Sequence, residues 1–275
     1  MRGSRPNVEP YPHFSANTDV TPPRASDLLY VSRSDTGRVR SGNEDSLRCD
    51  PEVGLMVLAD GMGGCNAGEI ASAVAVDSVL SEFRQIPLGL SEDSGTPGLN
   101  AGAMRLCTAI AKANRDIHQL GLARGEWAGM GTTIVSALFI GQRVVIASVG
   151  DSRAYRWRHG HFEQLTVDHT VVQEQLEFGL ITPEQARLAG GRGMLTRALG
   201  AEIGVEVDVQ EQPVMPGDLY VLCSDGLFDM LDDAEIHALI EQSQGNLEVT
   251  AEALVEAANH KGGYDNISVI LARAI

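Results

Sequence analysis

Four short apolar runs in this chain each carry an aspartate at one end: Leu55 to Asp60, Val144 to Asp151, Leu219 to Asp225 and, with the acid leading, Asp265 to Leu271. Their length and their richness in Val, Ile and Leu mark them as buried strands, so the acids should emerge together at sheet ends. Two carboxylates about 5 Å apart repel by roughly 3 kcal/mol at an effective dielectric near 20. Three or four gathered in this way either take up protons or hold a cation. Any one of them alone reads equally well as a turn residue, because Asp-Gly is a common turn pair and glycine follows both Asp60 and Asp225. The repetition is what points to a metal.

With 275 residues, 43% of them hydrophobic, the chain can bury one sizeable core and reads as one domain. A net charge of −16 argues against a nucleic-acid or anionic-membrane surface. There is no apolar run fit to cross a membrane and no charged-then-apolar opening signal, so a cytoplasmic protein is expected. Cys49, Cys65, Cys107 and Cys223 form no CxxC pair, which fits a reducing compartment and excludes a thiolate zinc site. None has an arginine six residues on, as a cysteine-phosphatase loop requires. Cys223 reads as a small core residue, and Cys65 is a weaker candidate for a redox-sensitive thiol.

Residues 1–26 are proline-rich and lack an apolar period, so they read as a disordered leader, with the folded domain spanning 27–275. Ile70, Ala73, Val74, Leu80 and Phe83 predict one helical face, followed by a Gly, Pro and Ser loop from Pro87 to Gly98. A second amphipathic helix is marked by Leu106, Ile110, Ala113, Ile117 and Leu120. The stretches 134–140, 144–149, 154–158 and 162–165 read as one antiparallel meander. A polar segment over 168–192 has helical pieces but a weak core pattern, as expected of a flap outside the sheets and a substrate-selecting surface. Then come a strand at 219–223, helices at 234–242 and 247–260, and a last strand at 267–272. Strands in runs and helices in pairs give an α+β class.

An oxygen-rich acidic cluster without paired His or Cys favours Mg2+ or Mn2+. Two such ions can clamp a phosphoryl group for in-line attack, which makes phosphate-ester hydrolysis a natural reaction class. Arg40, just ahead of Glu44 and Asp45, is the basic residue best placed for the phosphate, although alone it reads as a surface charge. The cluster Gly61, Gly63, Gly64 is not a nucleotide loop: the GxGxxG pattern breaks at Asn66 and no Gly-Lys-Ser or Gly-Lys-Thr follows. These glycines suit a tight bend that turns a carbonyl toward metal.

The segments SDTGRVRSGNEDS (34–46), LADGMGG (58–64), Gly131-Thr132-Thr133, Gly150-Asp151-Ser152-Arg153, LTRALG (195–200), CSDGLFD (223–229) and Asp265-Asn266-Ile267-Ser268 occur in the order found in PP2C-type protein phosphatases. Over residues 28–275 the chain resembles a bacterial stand-alone member of this metal-dependent Ser/Thr phosphatase family. The resemblance implies a four-layer α/β/β/α sandwich, two antiparallel sheets flanked by helices, with the metal site at one end between the sheets. It implies that Asp60 bridges two Mn2+ or Mg2+ ions, that the Gly61 carbonyl and Glu44 serve the second ion, and that Asp225 and Asp265 complete the first. Asp45 would stand behind Glu44, Arg40 would bind substrate phosphate, and Asp151 with Asp225 would hold a weaker third ion found in many members.

The implied activity is hydrolysis of phosphoserine and phosphothreonine on proteins by a hydroxide bridging the two ions. Phosphorylated proteins and a cognate Ser/Thr kinase are the implied partners, with the enzyme a monomer. Met62 stands where many relatives carry a histidine proposed as general acid, so the leaving oxygen needs another proton source. His169 is the nearest alternative by sequence. The competing function is a pseudophosphatase that binds phosphoproteins without turning them over; the retained Asp60, Asp225 and Asp265 argue for the enzyme.

Overall fold

Burial on both faces is what the apolar runs predict, and two stacked sheets supply it. The computed structural model describes residues 28–63, 67–85, 101–188 and 193–275. The expected leader at 1–26, the loop from Pro87 to Gly98, Cys65 and the last residues of the flap segment lie outside the described residues.

With strands numbered in chain order, the first sheet contains β1 (Leu28–Asp35), β7 (Arg153–Arg158), β8 (His161–Gln164), β10 (Leu219–Cys223) and β11 (Ile267–Ala274), in the order β1-β11-β10-β7-β8. The second contains β2 (Asp45–Asp50), β3 (Leu55–Met62), β5 (Ile134–Ile140), β6 (Arg143–Val149) and β9 (Asp208–Pro213), in the order β2-β3-β5-β6-β9, with β4 (Gly131–Thr132) paired to the end of β3. All these pairings are antiparallel.

Strand β3 shows how the layers are specified. Leu55, Val57 and Ala59 point to a helical layer, while Met56 and Leu58 point to the other sheet, and all five are fully buried. Between the sheets, the Phe139 ring meets Tyr220 edge-on with centroids 5.3 Å apart. Helices α1 (Ala67–Gln85) and α2 (Ala101–Ala123) cover the second sheet; α6 (Asp233–Gln242) and α7 (Leu247–His260) cover the first. The architecture is the expected α/β/β/α sandwich. Short helices α3 (Val171–Glu177) and α4 (Pro183–Leu188) form the flap, and α5 (Asp225–Phe228) is a single turn.

Three local expectations change. The predicted meander is two hairpins in different sheets: β5 pairs β6, β7 pairs β8, and the chain crosses over at Gly150. The left-handed φ of Gly150, +99°, permits that redirection. Next, α1 is turned relative to its predicted face. Leu80 and Phe83 are buried as predicted, but Ala71, Ala75, Val76 and Val79 complete the buried face, whereas Ile70, Ala73 and Val74 are half-buried flanks. Alanines let α1 approach the sheet and α2 closely, a signal that hydropathy understates. Helix α2 buries Leu106, Ile110, Ala113 and Ile117 as expected. Finally, β1, β2 and β9 escape the apolar pattern because they are sheet edges with largely half-buried residues.

Candidate active site

The sheet topology brings the predicted acids to one end of the sandwich. Asp60 lies near the end of β3, opposite Asp45 of β2. Asp151 sits just past the crossover glycine after β6, and Asp225 opens α5 directly after the Ser224 cap. Asp265 stands two residues before β11. Asp60, Asp151, Asp225 and Asp265 line one hollow of about 350 Å3, together with Arg40, Glu44 and Gly61. Asp45 is not among the residues that line it.

Each acid is held by its own local scaffold. The Asp60 amide donates to Thr133 Oγ1 at 3.0 Å, and its carbonyl accepts from the Thr133 amide at 2.8 Å and Thr132 Oγ1 at 2.7 Å. Thr133 Oγ1 also pairs with Ser152 Oγ at 2.7 Å, tying β3 to the segment that carries Asp151. Ser224 Oγ donates to Asp45 Oδ2 at 2.8 Å. The Asn266 side chain staples the 36–44 loop: Nδ2 donates to the carbonyls of Thr36 and Gly42 at 2.9 Å each, while Oδ1 accepts the Glu44 amide at 2.8 Å. Sequence reading assigned no role to Thr132, Thr133, Ser152, Ser224 or Asn266. Their position inside the quoted motifs was the available signal.

Close backbone approach explains two glycines. A Cβ on Gly61 would stand 2.1 Å from the Gly68 carbonyl oxygen and 2.7 Å from that of Glu44. A Cβ on Gly68 would stand 2.8 Å from Glu44 Oε2. Thus Gly61 permits the close approach of β2, β3 and α1, while Gly68 leaves room for the Glu44 carboxylate. Of the three glycines singled out in sequence, Gly64 lies outside the described residues.

The electrostatics follow from this crowding. Burial, then the charges of Asp45, Asp225, Asp151 and Asp265, holds the Asp60 carboxyl well above the usual carboxylate range. Asp225 is raised in the same way by burial and by Asp151 and Asp265. Burial, with Asp168 adding to it, pushes Asp151 up to about 7. Burial pushes Asp45 up to about 6 against the opposing hydroxyls of Ser268 and Ser224. Asp45 Oδ1 and Asp225 Oδ1 are buried with no hydrogen-bond partner among the described residues. Arg40 Nη2 donates to Asp265 Oδ2 at 2.6 Å, which puts a cation at the rim.

Among the described residues no three acids, histidines or cysteines meet at ion-coordinating spacing. The unpartnered buried oxygens and the mutual repulsion, rather than a closed cage, are what fit a divalent cation. The acids lining the hollow offer oxygen, and among the described residues no histidine or cysteine lines it, which suits Mg2+ or Mn2+.

His169 is not in this hollow. It is 4% exposed; Nδ1 accepts the Gly150 amide at 3.1 Å, and Nε2 stands 3.1 Å from Asp208 Oδ2. Its Nδ1 holds the crossover through the Gly150 amide, and the ring does not line the hollow. Met62 lines the hollow.

A family model described as Protein phosphatase 2C matches residues 38–257. The serine/threonine phosphatase stp of Listeria innocua is 36% identical over 242 residues, covering 87% of this chain and 93% of that one. The crystal structure of the Mycobacterium tuberculosis serine/threonine phosphatase PstP superposes with a TM-score of 0.77 at 36% identity, covering 90% of this chain and 98% of the other. The catalytic domain of PstP, solved in complex with two manganese ions, has a TM-score of 0.75 at 35% identity, with 90% and 97% covered.

Proposed function

This chain belongs to the protein phosphatase 2C family, and from that premise we propose how its own residues perform the reaction. It is a metal-dependent protein serine/threonine phosphatase. The observation that carries the site assignment is the convergence of Asp60, Asp151, Asp225 and Asp265, from four separate chain segments, on a hollow that also holds Arg40.

In this reading Asp60, Asp225 and Asp265, with Glu44 and the Gly61 carbonyl, would hold two Mn2+ or Mg2+ ions, Asp60 serving both. Asp151 and Asp225 would hold a weaker third. When bound, the ions neutralise the acids, lower the pKa of a water and polarise the phosphoryl group. The chain supplies the rest. Arg40, half exposed at the rim, takes the phosphate oxygens with its guanidinium fork. Asp45, held by Ser224, fixes the inner wall behind Glu44. Thr132 and Thr133 lock the Asp60 backbone, so the bridging carboxylate is oriented before substrate arrives. Met62 carries no ionisable proton, so the leaving serine or threonine oxygen needs a proton source other than this residue.

A substrate phosphorylated on Ser or Thr requires a kinase reaction to make it, so we assign the enzyme the role opposing a Ser/Thr kinase. We also assign it to the cytoplasm as a monomer. Free thiols at Cys49, Cys107 and Cys223 support a reducing compartment. No helix among the described residues is long and apolar enough to cross a membrane.

Hydrolysis of p-nitrophenyl phosphate, with and without Mn2+ or Mg2+, tests the reading against Asp60→Asn. Ion-dependent turnover lost in the variant is expected. Equal rates in the two proteins, or none with either ion, would favour the phosphoprotein-binding alternative.

A further inference from the structure

The crossover that delivers Asp151 to the hollow turns on a glycine, and a glycine has no side chain through which packing could fix it. Gly150 has a left-handed φ of +99°, the conformation in which its backbone is freest relative to other residues. Its orientation therefore falls to hydrogen bonds, and one residue makes both of them. The His169 amide donates to the Gly150 carbonyl at 3.0 Å, which holds the peptide plane leading into Asp151. His169 Nδ1 accepts the Gly150 amide at 3.1 Å, which holds the plane before it.

His169 is itself anchored. Its carbonyl accepts the Thr196 amide at 2.9 Å, Thr170 pairs with Leu195, and the Val171 amide donates to the Met194 carbonyl at 3.0 Å, so a short ladder closes the base of the flap around it. The ring is buried. Because Nδ1 accepts an N–H it carries no proton, so the ring is the Nε2–H tautomer. Nε2 stands 3.1 Å from Asp208 Oδ2, close to it but outside hydrogen-bond geometry. Arg197 Nη1 donates to the other Asp208 oxygen at 2.7 Å. The acceptor nitrogen thus faces the Gly150 amide from a fixed base, as a supporting residue must if it is to orient a ligand.

We propose that His169 is a positioning residue for Asp151: its ring sets the Gly150 backbone, and with it the placing of the Asp151 carboxylate and the affinity of the weaker ion. The proposal rests on the third-ion assignment made within the phosphatase reading. Here the histidine neither touches the ion nor moves a proton. It acts through one amide.

The test separates the two ring nitrogens. Calorimetric titration with Mn2+ of wild type and Asp151→Asn first identifies the weaker class of ions as the one that this aspartate holds. Asparagine places its side-chain oxygen near the position of Nδ1, whereas glutamine reaches the position of Nε2. His169→Asn keeps an acceptor for the Gly150 amide and should leave the weaker class close to wild type. His169→Gln does not, and should weaken that class about tenfold, the usual cost of losing a supporting partner, with the tighter class unchanged in both variants. A ring that only filled space would lower the ion-free melting temperature in both without separating them in ion affinity.

A second measurement leaves His169 in place and serves if the glutamine variant fails to fold. As Mg2+ is added, the Nδ1 resonance of His169 in nitrogen NMR should move with the weaker class in wild type and stay still in Asp151→Asn. Equal weak-class affinity in wild type and His169→Gln, an equal loss in the asparagine and glutamine variants, or an unmoved Nδ1 resonance overturns the proposal. A wild type with no weaker class, or one whose weaker class survives Asp151→Asn, removes the third-ion assignment and the proposal with it. Absence of p-nitrophenyl phosphate turnover while the ion titrations behave as expected sinks the phosphatase activity alone.

Discussion

Asp45 on β2 stands directly across from Asp60 on β3 in the antiparallel register. Two carboxylates on neighbouring strands are a destabilising pair unless something between or behind them takes the charge. Here Ser224 donates to Asp45 from the other sheet. On the proposed assignment Asp45 acts by orienting its neighbours. Asp45→Asn should weaken Mn2+ binding about 10- to 100-fold, the usual cost of losing a supporting carboxylate. Mn2+ titration by calorimetry reads this directly, and an unchanged affinity would remove Asp45 from that role.

Ion binding should release protons. Asp60 and Asp225 are held well above the usual carboxylate range, with Asp151 at about 7 and Asp45 at about 6. Folded values above unfolded ones mean that the stability these groups contribute is complete below the ordinary range near about 4 and is lost as pH rises through the folded values. Mn2+ should therefore stabilise the protein more at about pH 7 than at about pH 5, and displace protons as it binds. Calorimetry near pH 6 in buffers of different ionisation enthalpy measures the release; identical heats in every buffer would contradict it.

Arg40 is half exposed and bonded to Asp265 at 2.6 Å, so its removal should spare the fold and damage substrate binding. Arg40→Ala should raise KM for p-nitrophenyl phosphate about tenfold or more, as expected for charge-assisted hydrogen bonds worth ~1.5–3 kcal/mol. Arg40→Lys should recover part of this, because a point charge replaces the fork. Unchanged KM in Arg40→Ala would place phosphate binding elsewhere.

Gly68 makes room for the Glu44 carboxylate, since its Cβ would lie 2.8 Å from Oε2. Gly68→Ala should cost roughly 1–3 kcal/mol by overpacking and lower Mn2+ affinity as well. Gly125→Ala, with nothing within 4 Å of the added methyl, is the control. Urea unfolding of the two variants separates them, and equal midpoints would remove the steric argument.

Much of this was legible in order along the chain. The buried strands β3, β5, β6, β10 and β11 announced themselves as apolar runs because both their faces are covered. Helix α2 announced itself by period. The edge strands β1, β2 and β9 did not, because an edge with half-buried residues has no apolar signature. Helix α1 was legible as a helix but not in its rotation, since small side chains can mark close packing without marking hydropathy. His169 read as a polar loop residue and is a buried clamp, because its partners, Gly150 and Asp208, lie 19 and 39 positions away.

What the sequence by itself determined were the strand-end aspartates, the helix that follows Gly61, and a motif order that assigned roles to Arg40, Glu44 and the acids. Periodicity and propensity, which report contacts within a few residues, delivered the strands and the helix; the family resemblance implied the roles. Only the tertiary structure decided that β6 and β7 part company at Gly150, that Asp45 faces Asp60, and that Asp60, Asp151, Asp225 and Asp265 line one hollow. Those relationships are pairings across tens to hundreds of residues, set by sheet register and by where two packed sheets end.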